Sequence, residues 1–346
     1  MALPGPRRVW RALTAHHLDQ EPRHVATFVA FGVGLSLAAA VGVAWTAGFR
    51  NVASAFWHVN PFWFPIALGG AAAANIGYLL AYREIAHVNE GPRVGRLRAL
   101  ALVATGFGIF VPRGGFALDL EALRDLGFPA REARIRVLGL GALEYAVLAT
   151  GTSVCSLFLL AEHAPHVHSA VTLSWGIGVP IGTALALFAV THRDLICRGK
   201  VGELLRPSLD GLHVVGCIVA APRRHGVAAV FGMAIYWASE VFVLYTCLAA
   251  FSHRAPSVTA VVVGYATGYA LTRRTLPFAG AGAVEALLPF ALGWVGYRLA
   301  PALLAVLAYR VFNVWLPVGP ALGGLVALRR RRRPRREVSD VRRSPS

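Results

Sequence analysis

One uncharged apolar run near the start of the chain restricts its possible folds more than any other feature. No residue from Val25 to Phe49 is charged, and about 20 apolar residues in a helix are enough to cross the hydrocarbon core of a membrane. Five more apolar runs follow: Pro61 to Tyr82, Val137 to Leu160, Ser169 to Val190, Val227 to Phe251 and Leu303 to Leu328. The sequence therefore predicts an all-α, polytopic transmembrane bundle with six to eight spans.

The composition excludes most soluble classes. Of the 346 residues, 56% are apolar and only 15% are charged, which is too hydrophobic for a soluble domain of this length. The four cysteines lie in different segments without a CxxC pair, so we predict no disulfide framework and no metal site. Phosphate-binding, nucleophile and zinc-protease motifs are missing from the sequence as well, so we expect neither a cofactor nor catalytic activity.

The distribution of arginine predicts the orientation of the spans, because short Arg-rich loops remain in the cytoplasm. The Arg-rich segments are 1–24, 83–98, 113–136, 193–224 and 329–346, whereas 51–60 and 161–168 contain neither Arg nor Lys. We predict a multi-pass protein of the cell membrane with a basic cytoplasmic N-terminus (1–24), a transmembrane domain (25–328) and an Arg-rich cytoplasmic tail (329–346). The tail has no aromatic residues between its arginines, so it fits a stop-transfer signal better than nucleic-acid binding.

The apolar stretch Ala99 to Pro112 is too short for an ordinary crossing. It has 14 residues and leads directly into Arg113, Gly114 and Gly115. Because the predicted cytoplasmic loops flank it on both sides, the stretch has to enter and leave the membrane on the same side, as a re-entrant segment. The following residues, Phe116 to Arg136, alternate apolar and charged side chains at helical spacing, which predicts an interfacial amphipathic helix.

A second unusual stretch, Ser257 to Tyr297, is interrupted by charges and helix breakers. Arg273 and Arg274 lie inside it, and Gly280 and Gly282 follow shortly afterwards. The stretch can form a second re-entrant hairpin that enters from the outer side. Ordinary crossings in this part of the chain satisfy the charge distribution equally well.

An offset of 166 residues superposes the spans of the two halves of the chain. It aligns 61–82 with 227–248 and 137–160 with 303–326, Asp119 with Glu285, and Glu144 with Arg310. In the predicted orientation the equivalent spans run in opposite directions. Segments 61–160 and 227–326 are therefore predicted to be inverted repeats, an arrangement that recurs in transporters.

Charges inside apolar spans are costly and are functional candidates by default. The candidates are Glu144, Glu240, Glu285 and Arg310, with Asp119 as a further partner beside the first hairpin. Since Glu144 and Arg310 are equivalent in the repeat, we predict an ion pair between them. The alternative for each residue is an internal pair that only fixes helix packing.

Four arginines are candidates for binding an anionic headgroup. Arg113, Arg273 and Arg274 lie next to predicted helix breaks and Arg310 lies within the last span. A guanidinium binds phosphate through two parallel hydrogen bonds. Arg273 and Arg274 can instead reach the membrane interface by snorkelling.

Three short motifs resemble a known family. They are Phe110 to Gly115, Leu276 to Glu285, and Tyr309 to Pro317, which includes Arg310 and Trp315. With these motifs the chain resembles the transmembrane region of the lysylphosphatidylglycerol synthases, a family of flippase-like integral membrane proteins. The resemblance implies helical spans with re-entrant hairpins and a role in moving a lipid between leaflets. The full-length synthases also contain a soluble aminoacyl-transferase domain, which we do not expect here.

The first functional prediction is a lipid translocase that binds an anionic phospholipid or a polyprenyl-phosphate-linked lipid. The second is a membrane scaffold, an accessory subunit that does not transport and that binds a lipid-modifying enzyme. A third, an intramembrane enzyme with Glu144 or Glu285 as acid or base, is less favoured because no nucleophile accompanies the carboxylates.

Overall fold

The computed structural model describes residues 22–87, 94–107, 115–162, 164, 166–197, 199–220, 223–252, 254–269 and 280–328, and within them it contains helices and no strand. The helices are α1 (Pro22–Ala47), α2 (Phe49–Trp57), α3 (Trp63–His87), α4 (Arg96–Gly106), α5 (Gly115–Asp125), α6 (Ala130–Ala161), α7 (Ser169–Thr191), α8 (Arg193–Ile196), α9 (Gly199–Ala220), α10 (Arg223–Phe251), α11 (Val258–Tyr269), α12 (Ala283–Trp294) and α13 (Leu299–Arg310). A π-helix at Val311–Trp315 continues α13 toward residue 328.

Within the described part of the chain, six helices are long and apolar enough to cross a membrane. They are Ala26–Ala47, Trp63–His87, Ala130–Ala161, Ser169–Thr191, Gly226–Phe251 and Leu299–Leu328. Each coincides with one of the six apolar runs, so the predicted all-α polytopic bundle is confirmed. The sequence did not predict α9, which packs against α6 where Gly211 lies against Leu138.

Two further helices, α4 and α12, are too short to cross. Their 11 and 12 residues are bounded by described residues at both ends. At about 1.5 Å per residue they span little more than half of a hydrocarbon core of about 30 Å. Helix α12 packs antiparallel to α11, since Gly268 lies against Leu288 and Gly264 against Leu292. The structure thus favours a hairpin over ordinary crossings in this part of the chain.

The two pairs of short helices enter the bundle from opposite ends. Residues from α2 (51–58) and from the connections at 159–167, 251–260 and 295–301 line one cavity and therefore lie at the same end. The α11–α12 hairpin begins and ends there. Helices α4 and α5 follow α3 and precede α6, so they begin and end at the opposite, Arg-rich end. This arrangement fits the predicted inverted repeat.

The central contact of the bundle joins the equivalent helices α3 and α10. Gly70 lies against Val243, and Gly77 lies against Gly232 and Tyr236. Residue numbers rise along α3 as they fall along α10, so the helices are antiparallel. The 166-residue offset converts the Gly70–Val243 contact into the Gly77–Tyr236 contact, as expected if a twofold axis passes between the two helices.

The prediction of one amphipathic helix over 116–136 is wrong. The helix is interrupted at Gly127, whose φ of +95° is a conformation that favours glycine. Helix α6 begins only after Pro129. The break lets α5 fold back against α6, where Asp119 is buried. Arg136 is buried too, with its guanidinium 4.5 Å from the ring centroid of Phe128.

Candidate functional site

A buried ion pair joins α12 and α13. The Nε of Arg310 lies 2.8 Å from Oε1 of Glu285, and the two side chains are 1% and 0% exposed. Taking two charges out of water is costly even when they are paired. Within a membrane, a buried ion pair indicates either a functional site or a contact that fixes helix packing.

Glu285 receives hydrogen bonds from two further chain segments. The hydroxyl of Ser36 in α1 donates to Oε1 at 2.9 Å, and the backbone N–H of Gly282 donates to Oε2 at 2.8 Å. Glu285 is the third residue of α12, where a carboxylate can cap the N-terminal N–H groups and is favoured by the helix dipole. Gly282 has a φ of +83°, a conformation that side chains disfavour. The glycine break before α12 thus positions the carboxylate.

A second polar cluster adjoins the ion pair through Tyr309. The Tyr309 hydroxyl donates to Oε2 of Glu240 at 2.6 Å and lies 3.1 Å from the Tyr265 hydroxyl. Asn313 donates from Nδ2 to the same Glu240 oxygen and accepts at Oδ1 from the hydroxyl of Tyr269, at 3.4 Å. Since Tyr309 and Arg310 are consecutive, α13 contributes to both clusters.

The π-helix after Arg310 has a cause in the sequence. Pro317 has no N–H to donate to the carbonyl of Asn313 four residues earlier, and its ring would clash with that carbonyl. The backbone widens instead, and Leu316 donates to the carbonyl of Val311 at 2.8 Å. Such π-turns are frequent at functional sites. This one lies next to the ion pair and contains Asn313.

The equivalent positions in the first half hold two acids. Asp119 and Glu144 are 1% and 2% exposed. Burial raises the pKa of Asp119, which lies outside the six long apolar helices, and the nearby Glu144 carboxylate raises it further. The Trp237 indole donates to the backbone carbonyl of Glu144 at 2.7 Å. The repeat therefore has two acids at these positions in one half and an acid and a base in the other.

The predicted ion pair between Glu144 and Arg310 is not the one observed, because Arg310 binds Glu285 of its own half. Positions that are equivalent by a twofold axis are close together only if they lie near that axis. Asp119 and Glu144 occupy the same places on α5 and α6 as Glu285 and Arg310 occupy on α12 and α13. The repeat therefore relates two sets of positions, Asp119 with Glu144 in the first half and Glu285 with Arg310 in the second.

The other predicted site residues divide into two groups. Arg113, Gly114, Arg273 and Arg274 lie outside the described residues. Gly115 begins α5, and Gly280 has a φ of +68° before α12. Sequence reasoning missed Ser36, Tyr265, Tyr269, Tyr309 and Asn313. Of these, Tyr309 and Asn313 lie in the motif around Arg310, whereas Ser36 lies in an apolar run without any signal.

Buried aromatic rings connect the site with the first hairpin. Phe107, after α4, contacts Tyr78 at 5.0 Å between ring centroids, and Tyr78 contacts Tyr236 at 5.1 Å. The series continues through Trp237 and Tyr265 to Tyr309. Helices from both halves are thereby packed into one core.

We expect Tyr309→Phe to lower the free energy of unfolding by about 1–3 kcal/mol, because it removes the hydroxyl that donates to buried Glu240. Tyr297→Phe is the matched control, since its hydroxyl bonds the Ser257 carbonyl at the exposed end of the bundle. Thermal unfolding in detergent measures both. Equal small losses for the two variants would contradict the importance of the Glu240 cluster.

The fold and site define a polytopic helical membrane protein with a buried ion pair at a glycine break between short helices. Residues 29–321 match the family described as the Lysylphosphatidylglycerol synthase TM region. Because the match spans most of the chain, the protein belongs to this family, and the resemblance inferred from its motifs is confirmed. A search of curated proteins finds no match. Membership relates the protein to lipid handling in a membrane.

Proposed function

We propose that the protein moves a lipid with an anionic headgroup between leaflets, and that Arg310 binds the headgroup phosphate during the passage. The observation that supports this most directly is the ion pair of Arg310 with Glu285 beside a glycine break and a π-turn. Irregular backbone at membrane depth is tolerated only where it is buried in protein or lines a water-filled cavity.

In this proposal the phosphate exchanges places with Glu285. A buried guanidinium needs an anionic partner at all times, because an uncompensated charge is far more costly than a paired one. When the phosphate replaces Glu285, the carboxylate keeps the hydroxyl of Ser36 and the N–H of Gly282 as donors. The guanidinium then remains paired throughout the exchange, and the two neutral donors reduce the cost of leaving the carboxylate without its cation.

The two hairpins provide a route from each leaflet in this proposal. They begin at opposite ends of the bundle, so each gives its own leaflet access toward the middle of the membrane. Arg113 precedes α5, and Arg273 and Arg274 lie between α11 and α12. We propose that these arginines, which lie between the two helices of each hairpin, contact the headgroup after it has entered along that hairpin. The proposed orientation is the predicted one, with both termini in the cytoplasm.

Lipid exchange in proteoliposomes tests the proposal. Fluorescent phosphatidylglycerol is reconstituted with the wild type, with the double variant Arg310→Met/Glu285→Gln, which leaves no unpaired charge, and with Thr152→Val. Thr152 is buried in α6 and bonds the Leu148 carbonyl of its own helix. We expect the double variant to slow exchange by at least about tenfold, the equivalent of one charge-assisted hydrogen bond, and the control to match the wild type.

If wild-type protein exchanges anionic lipid no faster than empty vesicles, translocation is contradicted. The scaffold alternative would then gain support, provided that a lipid-modifying enzyme co-purifies with the double variant as well as with the wild type. Chemical conversion of the lipid by purified protein would instead support the enzymatic alternative. Thin-layer analysis of the recovered lipid detects such conversion.

A further inference from the structure

A large cavity lies at the Arg-poor end of the bundle, away from the Arg310 ion pair. Its volume is about 730 Å³, which is in the range of sites that bind small molecules. It is lined by α2 and by three connections, α6–α7, α10–α11 and α12–α13. Nothing in the proposed exchange at Arg310 uses this cavity.

Two arginines at this end line the cavity. Among the described residues at this end, the arginines are Arg50, Arg254 and Arg298, and the last two line the cavity. Short loops on the side opposite the Arg-rich connections normally contain few cations. Two arginines from different loops that line one cavity are therefore better explained by an anionic ligand than by topology.

Hydrogen bonds join the loops around the cavity. Asn60 donates from its backbone N–H to the Ala250 carbonyl at 2.8 Å, and His168 donates in the same way to Trp294 at 2.8 Å. The Tyr297 hydroxyl donates to the Ser257 carbonyl at 3.2 Å. The walls thus come from segments far apart in sequence but tied together. A ligand binds such a preformed site without first having to order it.

The lining combines cations with apolar surface. Beside Arg254 and Arg298, the described residues of the lining include one acid, Glu162, and the apolar side chains of Leu159, Phe251 and Val295. A free inorganic anion gains no favourable contact with apolar walls, whereas a lipid has a phosphate next to its glycerol and acyl chains. A guanidinium is well suited to that phosphate.

From this juxtaposition we infer that the cavity is a binding site for the phosphate-bearing headgroup of a lipid, held by Arg254 and Arg298 with the start of the acyl chains on the apolar wall. The inference does not depend on translocation. A protein that only binds lipid, and a protein that moves it, could both have this site.

Equilibrium binding of short-chain phosphatidylglycerol to the detergent-solubilised full chain tests the inference. We expect Arg254→Gln and Arg298→Gln each to weaken binding by about tenfold, since each removes one charge-assisted contact. Arg50→Gln is the matched control at the same end, because Arg50 does not line the cavity, and its affinity should stay within about twofold of the wild type. Glu162→Gln should bind more tightly, because it removes the acid of the lining.

Three ligands identify what is recognised. Short-chain diacylglycerol lacks the phosphate and should not bind, and glycerol 3-phosphate should bind more weakly than the lipid. Equal affinity for glycerol 3-phosphate would support a phosphate site but assign it to a soluble ligand. If Arg50→Gln weakens binding as much as the two lining arginines, or if Glu162→Gln leaves the affinity unchanged, the cavity is not the site. Lipid exchange with Arg310 variants is measured separately, so the two proposals can fail independently.

Discussion

Replacing Arg310 with methionine should destabilise the folded protein by about 3–5 kcal/mol, the largest effect expected of any single substitution at the site. The variant leaves the Glu285 carboxylate buried at 0% exposure without its cation. The donors Ser36 and Gly282 remain, but neither supplies a positive charge. The loss should appear as a lower thermal midpoint in detergent.

A second substitution, Glu285→Gln, shows how much of the stability lost in Arg310→Met comes from the broken ion pair. Arg310→Met/Glu285→Gln should recover most of the stability lost in Arg310→Met, because exchanging a whole buried pair for neutral groups is often nearly neutral. The double-mutant cycle measures this coupling directly. An additive cycle, with no recovery in the double variant, would show that the two side chains do not interact in the folded protein.

Replacing Gly77 with alanine is expected to cost about 3 kcal/mol, the upper end of what overpacking usually costs. The new Cβ would lie 2.6 Å from the Gly232 carbonyl oxygen and 2.6 Å from the Tyr236 nitrogen. Both are backbone atoms, which cannot rotate away as a flexible side chain could. The helices α3 and α10 would have to separate along their central contact.

Gly69→Ala is the matched control for this contact. Gly69 lies in the same helix, and a Cβ there would meet nothing within 4 Å. Alanine is also the better helix former by about 1 kcal/mol, so this variant should be as stable as the wild type or slightly more so. Thermal midpoints of the two variants in one detergent decide the matter. Similar midpoints would contradict the close approach of α3 and α10.

Much of the fold could be predicted from local patterns. The long uncharged runs predict the six spans, because the length of an apolar helix and the thickness of a membrane are directly comparable. The short stretch before Arg113 and the breakers around Gly280 predict shortened helices, since these depend on chain length and backbone conformation. The 166-residue offset also aligns the short helices of the two halves.

What could not be predicted depends on distances between helices. The repeat identifies Glu144 and Arg310 as equivalent, but equivalence is not contact, and Arg310 binds Glu285 on the adjacent helix. Ser36 donates to the same carboxylate from an apolar run that has no distinguishing pattern. Helix α9 has several charged residues and therefore did not stand out as a membrane-associated element, although it packs along α6.

The glycine contact between α3 and α10 also has a consequence for temperature. Inside a bilayer, two helices that meet displace lipid rather than water, so their attraction comes from close packing and not from the hydrophobic effect. Burial from water weakens on cooling, whereas van der Waals packing has no such dependence on the solvent. The two halves of the protein should therefore stay joined along this contact in the cold, where a soluble protein's core would begin to lose its driving force.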